Sequence, residues 1–265
     1  MTSLNRWKRI VIILCVALIL VLWLWFTPQG SLGKADAIGF AVCHQINVRS
    51  FFIGERQMPM CVRCSGMYIA AMITLAFLFI FHSKKGGMPS KFILFFFACM
   101  ALAWLVDGVN SFLHLFPGFT GLYEPQNLYR LITGSGMGIV AASFLFSAFN
   151  QTVWVDWDTS SAFLQVKTFF ALLLCVSIGI LLTLTNQPNI LYPLALLSAL
   201  GVLILLCMVY GMIWMMIFKQ ENQIHTYREL IFPLTVGLGV AILQIGLLDW
   251  GRVTLMSGWE GFHLH

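Results

Sequence analysis

Seven long apolar runs dominate this sequence and leave few folds open to it. A run of about 20 apolar residues crosses roughly 30 Å of hydrocarbon as a helix. Only helices and closed barrels satisfy their backbone hydrogen bonds in lipid, and continuously apolar runs of this length favour helices. We therefore predict an all-α integral membrane protein, a bundle of about seven transmembrane helices at about 9–26, 64–82, 92–115, 130–149, 166–185, 191–218 and 231–256.

The composition of the chain supports the same class. Hydrophobic residues make up 60% of the 265 residues and charged residues only 9%, whereas soluble domains carry roughly 25% charged residues. Such a chain cannot cover a water-facing surface, so the prediction is a single membrane domain over residues 1–265 in contact with a lipid bilayer. The excess of 15 basic over 10 acidic residues lies beside apolar runs, which favours membrane topology over nucleic-acid binding.

The distribution of lysines predicts the orientation of the bundle. Six of the seven lysines fall on one side of it, which places that side and the N-terminus in the cytoplasm. The first run is expected to be a true span rather than a cleaved signal, because Trp23, Trp25 and Phe26 close it as an interfacial belt. Residues 27–63 then form an extracytoplasmic loop of a multi-pass cell-membrane protein. The six lysines are Lys8, Lys84, Lys85, Lys91, Lys167 and Lys219.

The predicted loop 27–63 and the start of the following span carry a group of metal-ligand side chains. Cys61 and Cys64 form a Cys-x-x-Cys motif, the bidentate unit of many zinc sites, and Cys43 and His44 precede it. Three thiolates and one imidazole make a complete tetrahedral set, so we predict a zinc site on these four residues. Neighbouring residues of an extended chain point to opposite sides, however. Cys43 and His44 share an ion only across a turn, and His114 or water is the other candidate for the fourth position.

Two other states of these cysteines are open from the sequence. Cys43 could form a disulfide with Cys61 or Cys64, although three is an odd number for a loop closed only by disulfides. The Cys61–Cys64 pair could also exchange electrons as a thiol redox couple, with Arg63 lowering a thiol pKa. Four further cysteines lie inside the predicted spans and are expected to pack as small apolar residues: Cys15, Cys99, Cys175 and Cys207.

A longer pattern around these cysteines resembles a family of prokaryotic predicted membrane proteins, the domain of unknown function 2085. The pattern is Cys-His, Arg-Ser-Phe, Gly, Pro, Cys-x-Arg-Cys-x-Gly-x-Tyr, Asp-Gly and Asn-x-x-Arg-x-x-Thr-Gly, and it covers residues of about 40–140. The resemblance implies a functional site in this region and names no activity. The matching residues are Cys43, His44, Arg49, Ser50, Phe51, Gly54, Pro59, Cys61, Arg63, Cys64, Gly66, Tyr68, Asp107, Gly108, Asn127, Arg130, Thr133 and Gly134.

A polar stripe runs along the third predicted span. Asp107, Asn110, Ser111 and His114 are spaced i, i+3, i+4 and i+7, which puts them on one face of a helix near the loop 27–63. A carboxylate in a bilayer costs several kcal/mol unless it is paired or hydrated, so Asp107 is expected to face the bundle interior.

Arginines at the same depth supply candidate partners for these carboxylates. Arg130, at the start of the fourth span, is the predicted partner of Asp107, and Asp249 and Arg252 are expected to form an interfacial salt bridge. The candidate catalytic residues are therefore Asp107, Arg130 and His114, which would line a pocket beneath the cysteine loop.

Three classes of function fit these features. The first is a metal-dependent membrane enzyme in which zinc caps a polar pocket for a lipid or a small anionic substrate. The second is a membrane thiol–disulfide redox protein that exchanges electrons with a quinone or an extracytoplasmic partner. The third is a transporter or assembly factor in which the cysteine loop is a stapled lid. The sequence identifies no protein partner.

Overall fold

The computed structural model describes residues 6–116, 118, 121–256 and 258–259. Across these residues there are eight α-helices, and seven of them are long and apolar enough to cross a membrane. The predicted seven-helix membrane bundle is thus confirmed. The helices are α1 (Arg6–Phe26), α2 (Gly30–Val42), α3 (Val62–Phe81), α4 (Lys91–Leu113), α5 (Asn127–Val153), α6 (Val166–Leu184), α7 (Pro188–Ile217) and α8 (Ile231–Met256).

The helix that does not span is α2, and it lies in the segment that the sequence predicts as a loop. A 3₁₀ turn (Asn47–Arg49) and a two-stranded hairpin of β1 (Phe52–Ile53) and β2 (Arg56–Gln57) follow it. Helix α2 packs on α7 and α8 and buries Ala35, Ile38 and Phe40. Residues 27–61 therefore form a small folded cap on one end of the bundle rather than an open loop.

The connecting segments group at two ends of the bundle. The cysteine end carries the cap, the segment between α4 and α5 and the short turn between α6 and α7. The lysine end carries the three segments 82–90, 154–165 and 218–230. These segments contact one another through backbone bridges between Lys85 and Asp158 and between Trp154 and Ile224. The six lysines that predict the cytoplasmic side all belong to the lysine end.

The tightest helix contact joins α3 to α5. A Cβ atom added at Gly134 would lie 2.2 Å from the carbonyl oxygen of Arg63, and one added at Gly138 would lie 2.1 Å from that of Met67. Only glycine allows the backbones to approach this closely, as small residues commonly do between membrane helices. This close packing fixes the first turn of α3, with Arg63 and Cys64, against α5.

Candidate metal centre and its polar network

Three cysteines meet at the cysteine end of the bundle. Cys43 follows the last residue of α2, Cys61 is the N-cap of α3, and Cys64 lies in the first turn of α3. Their sulfur atoms all lie within 4.8 Å of one another, and all three are free thiols. Three thiolates bound to zinc at about 2.3 Å in tetrahedral geometry lie roughly 3.8 Å apart. The three side chains therefore fit a metal ion with only small movements.

The two segments that carry the cysteines are joined by close backbone contact. A Cβ atom added at Gly39 would lie 1.9 Å from the carbonyl oxygen of Pro59, so glycine is required there. Gln45 donates a hydrogen bond of 2.8 Å to that same oxygen, and Gln57 donates one of 2.8 Å to the carbonyl of Gln45. These contacts set Cys43 beside Cys61, whose N–H donates to the Cys43 sulfur over 3.2 Å.

Arg252 of α8 holds the same segment from the other side. Its guanidinium donates to the carbonyl oxygens of Phe40, of Cys43 at 2.6 Å and of His44 at 3.3 Å, and it lies 4.0 Å from the centroid of the Phe40 ring. A cation at these carbonyls stabilises the C-terminal end of α2. The predicted salt bridge between Asp249 and Arg252 is wrong, since within the described residues neither Asp249 oxygen has a hydrogen-bond or ion-pair partner.

The histidine predicted as the fourth ligand lies outside the cluster. Cys43 has extended backbone angles, φ −135° and ψ 148°, so the next side chain points away, and His44 is exposed. His114 contacts the carbonyl of Asn110 through Nδ1 at 2.9 Å. Among the residues that the structure describes, the group of ligand atoms within 4.8 Å contains only the three sulfurs.

The three thiols are electrostatically unequal. The pKa of Cys61 is lowered mainly because the Cys43 side chain hydrogen-bonds to its sulfur. The positive charge of Arg63 lowers it by a smaller amount. The same hydrogen bond, together with burial, raises the pKa of Cys43 to about 12. Cys61 therefore loses its proton at a lower pH than Cys43 does.

The polar stripe of α4 meets α3 through a buried ion pair. Asp107 is fully buried, and its carboxylate accepts hydrogen bonds from Arg63, one of them 3.0 Å from Nε. The same guanidinium donates to the Asp107 carbonyl at 3.0 Å and to Ser111 Oγ at 2.8 Å. Tyr123 donates to the other carboxylate oxygen at 2.8 Å, and Thr133 donates to the carboxylate at 3.3 Å. Asp107 thus faces the bundle interior as predicted.

The partner predicted for Asp107 is wrong: it is Arg63, not Arg130. The sequence offers Arg63 as a second candidate, because it also lies at the start of a span at the cysteine end. It lies inside the Cys-x-x-Cys motif, and its sequence position indicates first a role beside the thiols.

The rest of the stripe holds the segment between α4 and α5. Asn110 is buried, donates to the carbonyl of Tyr123 at 2.9 Å and accepts from the N–H of Leu122 at 2.7 Å. Gly121, with φ +67°, packs so closely that a Cβ atom there would lie 1.9 Å from Cε1 of His114. His114 therefore packs at the edge of the network, one turn beyond Asn110.

Arg130 is buried at the start of α5 and keeps an unused donor. Its Nη1 donates to Asn127 Oδ1 at 2.8 Å, whereas its Nε has no hydrogen-bond partner within the described residues. Arg130 lies within electrostatic range of Arg49, Arg63 and Asp107. Burial, and next the charge of Arg63, lower the pKa of Arg49. Arg63 pairs with Asp107, and Arg49 and Arg130 lie within electrostatic range of the same carboxylate and of Cys61, which leaves net positive charge near that thiol.

Fold and cluster together define a class of protein: an integral membrane protein of seven spans with three thiols gathered at one end. Residues 43–144 match the family model described as "Predicted membrane protein (DUF2085)". An uncharacterized protein of Methanocaldococcus jannaschii is 29% identical over 119 residues, 44% of this chain and 70% of that protein. The comparison with solved structures finds no match.

These findings confirm the resemblance predicted from the sequence. The matched region extends from Cys43 into α5, so it includes the three thiols, the stripe of α4, Arg63 and Arg130. Helices α1, α2, α6, α7 and α8, together with Arg252, lie outside it.

Replacing Arg63 tests the role of the buried ion pair. Arg63→Ala leaves the carboxylate of Asp107 without its cationic partner, and breaking a buried pair in this way costs about 3–5 kcal/mol. Arg56→Ala is the matched control, because Arg56 pairs with Asp36 at the surface with half of its side chain exposed, and such pairs contribute less than about 1 kcal/mol. Thermal unfolding of detergent-solubilised protein measures both variants. Equal losses would contradict a structural role for the Arg63–Asp107 pair.

Proposed function

We propose that this protein is a zinc-dependent membrane enzyme that acts on a lipid or a small anionic substrate. The proposal depends on one observation: three sulfurs within 4.8 Å of one another, with no fourth protein ligand beside them in the described part of the chain. Structural zinc sites are closed by four protein ligands, whereas catalytic sites keep one position for water or substrate. Cys43, Cys61 and Cys64 would hold the ion, which as a Lewis acid lowers the pKa of a bound water or polarises a bound oxygen.

Positive charge beside the thiols supports an anionic substrate. Arg130 has a buried Nε with no hydrogen-bond partner, and Arg49 lies within electrostatic range of it. A guanidinium presents its donors in a planar fork that matches carboxylate and phosphate oxygens. In this proposal Arg130 binds the substrate anion, and Arg49 adds charge from the edge of the cap.

Asp107 and His114 have different roles in the proposed site. Asp107 already accepts hydrogen bonds on both oxygens, from Arg63 and from Tyr123. It therefore acts as a positioning residue that orients Arg63 next to the cysteines. His114 would line the pocket at its outer rim.

A groove on the bundle surface supports a lipid as the source of the anion. A cavity of about 700 Å³ between α4 and α5 is lined by apolar side chains that include Leu102 and Ile132, and it reaches Tyr123 and Thr133. Both of these hydroxyl groups donate to Asp107. An acyl chain in this groove would bring its head group to the polar network.

A second candidate function is thiol–disulfide exchange with a quinone. Cys61 caps the start of α3 and Cys64 lies in its first turn, and the sulfur atoms of all three cysteines lie within 4.8 Å of one another. Oxidation would form one S–S bond between two of these thiols, and two protons and two electrons would pass to the quinone. This function uses the same three side chains without a metal ion.

Metal content and thiol state together separate the two functions. Protein purified gently without reductant or chelator is expected to contain about one zinc per chain by elemental analysis, with all three thiols of the cluster protected from alkylation. Replacing Cys43, Cys61 or Cys64 by Ser is expected to remove the stoichiometric zinc, because each supplies one of three ligands. Cys175→Ser in α6 is the matched control and retains the metal. Zinc-free protein with a disulfide between two of the three cysteines would instead support the redox function.

We also propose that the cysteine end faces the extracytoplasmic side, because the lysine end carries six of the seven lysines. Single cysteines introduced at exposed positions test this: Glu55→Cys at the cysteine end and Gln223→Cys at the lysine end. A membrane-impermeant thiol reagent is expected to label Glu55→Cys in intact cells and Gln223→Cys only after permeabilisation, above the background of the parent protein. The reverse pattern would put the cysteine cluster in the cytoplasm.

A further inference from the structure

A second cavity lies between α1 and α8, away from the α4–α5 groove. It has a volume of about 440 Å³, within the range of roughly 300–1,000 Å³ that is typical of small-molecule sites. Its walls are mostly apolar, with Ile19 and Leu22 from α1 and Leu243 and Leu247 from α8. Helix α1 lies at the edge of the bundle and packs mainly on α8, so this cavity opens toward hydrocarbon.

Two polar groups of this cavity make no well-formed hydrogen bond within the described part of the chain. Asp249 has 3% of its surface exposed, and neither carboxylate oxygen accepts a hydrogen bond from any described residue. The indole Nε1 of Trp23, which lines the same cavity, faces Asp249 but makes no well-formed hydrogen bond to it or to any other described residue. A buried carboxylate at this depth is costly, and intramembrane carboxylates without a structural partner typically mark ligand or ion sites.

Arg252 lies within electrostatic range of this carboxylate, but no cation forms an ion pair with it within the described residues. Arg252, one turn further along α8, directs its guanidinium to the carbonyl oxygens of Phe40 and Cys43. Lys34 donates to the carbonyls of Leu24 and Thr27 and to Thr27 Oγ1, at the end of α1. Asp249 and Trp23 Nε1 therefore face each other in the cavity without a well-formed hydrogen bond, and a ligand group between them would contact both.

This combination selects the chemistry of the ligand. A hydroxyl group donates one hydrogen bond and accepts others, so it can donate to Asp249 and accept from Trp23 Nε1. An ammonium group has no acceptor and would leave the indole unsatisfied, whereas an anion would be repelled by the carboxylate. The apolar walls beyond these two groups suit a hydrocarbon chain.

We propose that the cavity between α1 and α8 binds a long-chain amphiphile whose head group is a hydroxyl. The hydroxyl lies between Asp249 and Trp23, near the cysteine end, and the chain extends toward the middle of the bilayer past Ile19 and Leu243. Polyprenols, diacylglycerols and quinols share this chemistry. The site is separate from the thiol cluster and does not depend on its function.

Photo-crosslinking tests this site directly. A long-chain alcohol with a diazirine at the far end of its chain is added to the full-length protein in phosphatidylcholine nanodiscs, and labelled peptides are mapped by mass spectrometry. Labels are expected in α1 and α8. Unlabelled alcohol is expected to compete at a concentration at least roughly tenfold lower than an alkane of the same length, since only the alcohol supplies a head group that hydrogen-bonds to Asp249.

Three variants separate a hydroxyl site from an ammonium site. Asp249→Leu is expected to weaken the alcohol roughly tenfold or more, and Trp23→Phe roughly fivefold. Asp249→Asn keeps an acceptor, so it is expected to weaken the alcohol less than Asp249→Leu does. Asp156→Asn at the exposed lysine end is the matched carboxylate control and leaves competition unchanged. If Asp249→Leu fails to fold, Trp23→Phe and Asp249→Asn carry the test.

Several results would overturn the proposal. Equal competition by alcohol and alkane would show apolar partitioning only, and labels outside α1 and α8 would exclude the cavity. Stronger competition by a long-chain amine, abolished by Asp249→Asn, would replace the hydroxyl ligand with an ammonium ligand. Polyprenol, diacylglycerol and quinol are then compared as competitors. The strongest of them identifies the source, and failure of all three to exceed the alkane would also contradict the proposal.

Discussion

The buried pair of Arg63 and Asp107 is the interaction on which the arrangement of the cysteine end depends. It joins the first turn of α3 to the polar stripe of α4, in a position where a lone carboxylate would be strongly destabilising. Arg63 lies between Cys61 and Cys64 in sequence, so the same contact that neutralises Asp107 also fixes the direction of the Cys-x-x-Cys turn. The contacts of Gly134 and Gly138 with α3 fix that turn against α5.

The third thiol is positioned by a different part of the chain. Cys43 depends on the end of α2, which Arg252 of α8 holds through backbone carbonyls. The family match begins at Cys43 and ends within α5, so this support comes from outside the matched region. Cys61 and Cys64 are therefore positioned by contacts inside the matched region. Cys43, the first matched residue, is positioned by α2 and by Arg252 of α8, which lie outside it. The three-sulfur cluster therefore needs helices from outside the matched region as well as those within it.

The spans and the polar stripe could be predicted from the sequence because both follow from helical periodicity and the length of apolar runs. Helix α2 could not, because its glycine- and alanine-rich sequence is too short to span and becomes stable only by packing on α7 and α8. The choice of Arg63 over Arg130 depends on how α3 is rotated against α4, which residue spacing along one helix does not determine. The direction of the His44 side chain, away from the cluster, was predictable in part, since side chains of adjacent residues in extended backbone point to opposite sides.

The central claim is the proposal that the three cysteines bind zinc with an open fourth position, and X-ray absorption at the zinc edge tests it most directly. The account predicts three sulfur ligands at about 2.3 Å and one oxygen ligand at about 2.0–2.2 Å. It further predicts that the spectrum lacks the outer-shell scattering of an imidazole ring, in wild-type protein and in His44→Ala alike. Four sulfur ligands, or imidazole scattering that disappears in His44→Ala, would show a closed structural site and contradict the account.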